Sequence, residues 1–186
     1  MNSYIKIKMI PTKQGIGGSF ITKADFKLDN IAVPFNDITV KIDTGCSIST
    51  IPVRKLKISE AMRTRLKKND IENNATYYLS YGVETGGEKH DEPKTLEEKM
   101  LCPAMKFEHV VSNFNIAGVK VNTSKICLNY NRNGNILIGM DILKDWDIHI
   151  GTIETGETIM LACPKENLNE EYYRALQEYF GIGRSL

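Results

Sequence analysis

No stretch of this chain is apolar for long enough to cross a bilayer as a helix. The segment Met1–Lys8 alternates instead of forming the apolar run of a signal peptide. Neither sign of charge is in excess, because 24 Lys and Arg stand against 23 Asp and Glu. That removes the basic surplus of a nucleic-acid binder and the acidic tail of a disordered segment. No C-x-x-C pair joins any of Cys46, Cys102, Cys127 and Cys163, and His90, His109 and His149 are scattered. No metal site is therefore expected, and the thiols read as reduced, mostly buried groups of a cytoplasmic protein. The glycine-rich run Gly15–Ser19 has no Gly-Lys-Ser/Thr and no helix pattern after it, which excludes a phosphate-cradling loop. No cofactor, nucleic acid or membrane partner is expected.

What is present is a chain of 186 residues, 41% hydrophobic, enough for one cored domain with an appendage. Short strand patterns dominate it. Residues 4–10 read as a first strand closed by Pro11. A turn then leads into Phe20–Leu28, and residues 29–37 form a turn into a third strand. Ser59 caps a short helix in which Ile58, Met62 and Leu66 recur every four residues, ended by Asn69-Asp70. Its Arg63, Arg65, Lys67 and Lys68 read as a solvated face. Thr76–Tyr81 is strand-like, Thr95 with Glu98 fits a capping box, and Phe107–Val111 is a further strand. Strands follow at Phe114–Val121 and Lys125–Tyr130. Then come an apolar strand at 136–138, a short helix closed by Trp146, and a hairpin through Glu154-Thr155-Gly156. The last segment is an amphipathic helix with Leu168, Tyr172, Leu176 and Tyr179 on one face. Asn167 or Asn169 caps it and Gly181 stops it.

The centre of the pattern is Ile38–Pro52. Ile38, Val40 and Ile42 alternate as a strand and deliver Asp43 into the turn Thr44-Gly45, after which the chain returns to Ile51. Gly45 lets backbone approach closely, and Thr44 is stiff and carries a hydroxyl. This stretch resembles the active-site loop of aspartic proteases. Ile136-Leu137-Ile138-Gly139-Met140-Asp141-Ile142-Leu143 is similar to the second signature of the retropepsin-like members, an apolar-apolar-Gly strand that threads past that loop into a short helix. Together the two landmarks identify a suspected member of the retropepsin-like aspartic protease family over roughly residues 4–162.

The resemblance implies a mainly β fold, a closed β-barrel with short helices, here with an added C-terminal helix. The protease domain would span 1–165, with a possible insertion at 88–106, and the helix 166–186. It implies an aspartic endopeptidase in which two carboxylates share a proton and activate a water. Only one Asp-Thr-Gly is present. Glu84-Thr85-Gly86 and Glu154-Thr155-Gly156 lack the apolar approach, and Asp141 follows its Gly and reads as a helix-start residue. The second carboxylate must then come from another copy, so the expected assembly is a homodimer with Asp43 facing Asp43 across a two-fold axis. The family further implies that Thr44 bonds across the axis. It also implies a flap over an extended peptide or protein substrate, for which Tyr77–Gly87 is the candidate, with Tyr81, Gly82, Val83, Gly86 and Gly87 in contact or as hinges. Cys46 stands where pepsin-like relatives carry Ser or Thr to bond the catalytic carboxylate. A thiol is a weak donor, so a dyad working at mildly acidic pH is expected. Two other readings use the same residues: a catalytically inactive dimerisation or peptide-binding module, and Cys46 as a nucleophile.

Overall fold

Alternation of apolar and polar residues builds the first sheet. β1 (Ile5–Pro11) turns Ile5 and Ile7 inward and leaves Lys6 and Lys8 exposed. The structure, a computed structural model, describes residues 3–13, 17–73, 76–78, 94–95, 97–98, 102, 105–123, 125–130 and 134–183. β1 divides its length between two partners. Ile5–Lys8 pair with β11 (Thr158–Pro164), and Met9–Pro11 pair with β2 (Gly18–Leu28). It thereby stitches a terminal sheet to a barrel.

The barrel takes β2, β3 (Phe35–Ile42), β9 (Ile136–Ile138), β4 (Thr50–Pro52), β8 (Lys125–Asn129) and β6 (Met105–Ile116) in that order. Pairing of β6 back onto β2, from Ala24↔Ile116 to Leu28↔Val111, closes it into six strands. Closure removes the free edges that an open sheet of this size would expose. β5 (Thr76–Tyr78) and β7 (Val119–Lys120) pair with β6 outside the ring. The chain is thus mainly β, with a closed barrel and few, short helices. Its interior holds Phe26 against Phe35 and Phe114, at centroid distances of 5.3 and 5.8 Å, together with Leu28, Val40, Ile42, Ile51, Ile116 and Ile138.

Two readings along the barrel need correction. The segment 114–121 is not one strand. Ala117 and Gly118 both take positive φ, 50° and 81°, so β6 turns back tightly into β7. The helix after the Asp43 loop, α1 (Glu60–Asn73), does not stop at Asn69-Asp70. Ser59 does cap it, its Oγ accepting from Met62 N at 3.2 Å. Met62, however, is 46% exposed, and the buried positions are Leu66 and Asp70. A carboxylate one turn beyond Leu66 reads as a stop signal in sequence, whereas here it is the helix's inward anchor. Farther along, Thr95 and Glu98 form the reciprocal bonds of a capping box: Glu98 N donates to Thr95 Oγ1 at 3.1 Å, and Thr95 N to Glu98 Oε2 at 3.0 Å.

The terminal sheet runs β10 (Trp146–Thr152), β11, β1. Met160 and Ala162 of β11 face the barrel core, and Ile159, Leu161 and Cys163 face the other way. That second face is covered by α3 (Glu170–Phe180), through buried Tyr172, Ala175 and Leu176. Asn169 is the cap, accepting from Tyr172 N at 3.0 Å, and Gly181 ends the helix in the left-handed region at φ 66°. The helix therefore packs on its own chain. Phe180 lies over Gly151, where an added Cβ would come within 2.9 Å of its ring, and Tyr172 Oη donates to Asp147 O at 3.1 Å. Burial pushes the Cys163 thiol under the helix up to about 11, with Asp147 adding to the effect.

Candidate active site

Asp43 stands at the exit of β3, and a neighbouring strand fixes its backbone. β9 runs parallel to β3 with Ile42 beside Ile138, and Asp43 N continues the ladder by donating to Ile138 O at 2.9 Å. The chain then folds into a tight loop, with Cys46 N donating to Asp43 O at 3.1 Å. It returns as β4, which packs on the other side of β9, Thr50 opposite Leu137. β9 therefore passes between the two arms of the Asp43 loop.

Past Ile138 the strand enters the loop itself. Gly139 is the only residue type that fits there: a Cβ would lie 2.6 Å from Cys46 O and 3.1 Å from the Ile48 carbonyl carbon. The short helix α2 (Met140–Leu143) begins at once. Met140 N donates to Cys46 O at 2.7 Å and Asp141 N to Ser47 O at 3.1 Å. Side chains then lock the crossing. Ser49, fully buried, donates from Oγ to Asp141 Oδ1 at 2.6 Å and accepts from Gly139 N at 2.8 Å, while Ser49 N donates to the same Asp141 oxygen at 2.8 Å. The Asp43 loop is thus held rigidly from beneath by residues about ninety positions away in sequence.

On the outer side the loop is open. Thr44 and Gly45 are exposed, and the Asp43 side chain retains 28% of its surface. Its two oxygens have different partners. Oδ1 accepts from Gly45 N at 3.1 Å, and Oδ2 lies 3.5 Å from Lys41 Nζ. Lys41 shares the face of Asp43 because strand side chains alternate, while Val40 and Ile42 point into the barrel. The Cys46 thiol donates to Ile48 O at 3.1 Å, within the loop. Two clefts of about 300 Å³ lie elsewhere, one against α1 and one against α2. Neither includes Asp43.

The structure brings together Asp43, Thr44 and Gly45 and sets the Gly139 strand under them. The flap candidates Tyr81, Gly82, Val83, Gly86 and Gly87 lie outside the described residues. Sequence reasoning missed Lys41, whose place two residues before Asp43 on an alternating strand was a usable signal. It also missed Ser49 and the bracing role of Asp141, for which one sequence offers none. Among the described residues, no group of three or more His, Cys, Asp or Glu side chains is arranged to hold a metal ion. No described helix is long and apolar enough to cross a membrane.

In comparisons with known proteins, no family model, no curated protein and no solved structure matches the chain.

Proposed function

We propose that the chain is an aspartic endopeptidase of the retropepsin-like type, working as a homodimer. Asp43 of each subunit supplies one carboxylate of the dyad. One carboxylate takes a proton from a water as that water attacks the scissile carbonyl. The other, protonated, donates to the carbonyl oxygen. Thr44 and Gly45 support the loop at the axis, and the substrate is an extended peptide or protein segment. The observation that carries the reading is the crossing at Gly139. A strand threaded through the Asp43 loop, with glycine where no Cβ fits, gives a rigid platform that aims one carboxylate outward. Rigid placement of the reacting group is what this chemistry needs, because the geometry of the water and carbonyl sets the rate.

A non-catalytic dimerisation or peptide-binding module is the second reading, and the Lys41–Asp43 ion pair favours it, since it occupies a carboxylate oxygen the dyad would use. Incubation with a random peptide library separates the two. Hydrolysis by the wild-type chain, lost in Asp43→Asn with the circular dichroism spectrum and dimer unchanged, and insensitive to chelators, is the expected result. Turnover that survives Asp43→Asn excludes the mechanism.

A further inference from the structure

The outer face of β3 presents two charges side by side, Lys41 and Asp43, where only one belongs to a carboxylate dyad. Their separation of 3.5 Å is an ion pair, with the lysine side chain 30% and the aspartate 28% exposed. Asp43 Oδ1 accepts from Gly45 N, and the ammonium stands at Oδ2, so a water or shared proton that uses Oδ2 must compete with it. Lys41 cannot turn inward to leave, because the barrel side of β3 is filled by Val40 and Ile42, 1% and 4% exposed. It has to swing outward, along the surface that a bound peptide would cover. Its four-carbon stem permits that movement, and an ammonium held next to a covered site seeks a new anion when it goes.

We propose that Lys41 is a specificity latch: an Asp or Glu side chain adjacent to the scissile bond draws its ammonium off Asp43 and frees Oδ2 for catalysis. This deepens the endopeptidase reading and rests on it. The substrate class is peptides with an acidic residue flanking the cut. In a two-fold dimer each subunit contributes one Lys41, so a latch stands on either side of the scissile bond. A peptide with an amide or apolar side chain there leaves the ion pair in place and turns over slowly. The described residues around Asp43 offer no other cation within ion-pair distance of its carboxylate.

The test cuts one randomised peptide library with the wild-type chain, Lys41→Met and Lys41→Glu, and maps cleavage sites by mass spectrometry. Paired peptides with Glu or Gln at the selected position then give kcat/KM ratios. Lys41 is a half-exposed strand residue, so the fold of each variant is checked by its unfolding midpoint. The expected result is a Glu-over-Gln preference of about tenfold in the wild type, the discrimination of about 1.4 kcal/mol. The preference falls to near parity in Lys41→Met and turns to Lys-flanked peptides in Lys41→Glu. Cleavage without acidic preference, or with the same preference in Lys41→Met, overturns the latch and leaves the endopeptidase reading standing. If no protein cuts any peptide, the endopeptidase reading fails instead. Retention of the library on the immobilised chains then decides the fate of Lys41. Acidic peptides held by wild type over Lys41→Met support an acid-reading face, and equal retention overturns it.

Discussion

Ser49 has no solvent exposure, yet its hydroxyl both donates to Asp141 and accepts from Gly139 N. A buried hydroxyl so fully satisfied stabilises one arrangement of backbone over its neighbours. Asp141 Oδ1 gathers Ser49 N, Ser49 Oγ and Ile142 N, and so ties the loop to the first turn of α2. Asp141→Ala should lower stability by about 2 kcal/mol, because it strips the acceptor from donors that stay buried. It should also lower activity further than stability at a temperature where the variant is folded, since the Asp43 loop loses its brace. Asp141→Asn keeps an oxygen in that place and should recover most of both. Urea midpoints together with kcat/KM check this; equal damage from Ala and Asn would contradict it. The role was illegible in the sequence. A Gly-Met-Asp start is a reasonable helix opening, and nothing local says that Asp141 meets a serine 92 residues earlier. The placing of Asp43 at a strand exit in a tight turn was legible because its signal is local: an alternating strand, a carboxylate, then Thr-Gly.

Among the elements, α1 shows where periodicity misleads. Its buried positions are Leu66 and Asp70, and the apolar Met62 faces solvent. Asp70 reaches under the barrel to accept from His109 Nε2 at 2.7 Å and from the Tyr130 hydroxyl. Asn30 Nδ2 meets the other nitrogen of His109 at 3.0 Å; if that amide donates to Nδ1, an N–H at Nε2 faces Asp70. The network ties α1 to β6, to the residue after β8 and to the loop after β2. Because one of its two buried positions is polar and the apolar Met62 is exposed, apolar spacing does not mark where this helix ends. The network also has a pH signature. Burial, then the hydrogen bond and charge of Asp70, push the Tyr130 phenol well above the usual tyrosine range. A folded state that keeps a proton the unfolded chain gives up near pH 10 loses stability as pH rises past about 10. Below that pH the contribution is fully present. The unfolding midpoint should therefore start to fall at about pH 10 and keep falling above it. In Tyr130→Phe that fall should be shallower, on a baseline lower by roughly 1–3 kcal/mol for the lost bond to Asp70. Parallel pH profiles for the two proteins would contradict the assignment. Tyr172, raised by burial and by Asp147, contributes part of the slope that remains.

At the scale of the molecule, the strand patterns and the terminal helix were legible because each carries its own period and punctuation. Asn169 and Gly181 mark the limits of α3, and Glu154-Thr155-Gly156 sits in the turn of the β10–β11 hairpin, Gly156 at φ 81°. Barrel closure was not readable from periodicity, since it depends on the β2–β6 pairing between segments far apart in the chain. Nor was the place of α3: an apolar stripe says that a face is buried, not against what. In the fold it covers the terminal sheet, with Lys6 Nζ 3.6 Å from the centre of the Tyr179 ring. The Asp43 loop is open to solvent at Thr44 and Gly45, and the proposed function makes it one half of a catalytic site. The claim that the site is shared between two copies is tested most directly by mixing. Wild-type and Asp43→Asn subunits are combined in varied ratio at constant total concentration, above the dimer dissociation constant, and peptide hydrolysis is measured after exchange. If both carboxylates are needed, activity follows the square of the wild-type fraction, about one quarter of full activity at equal parts. A linear dependence, with about half the activity remaining at equal parts, would show that one chain carries a complete site and would contradict the Asp43–Asp43 dyad.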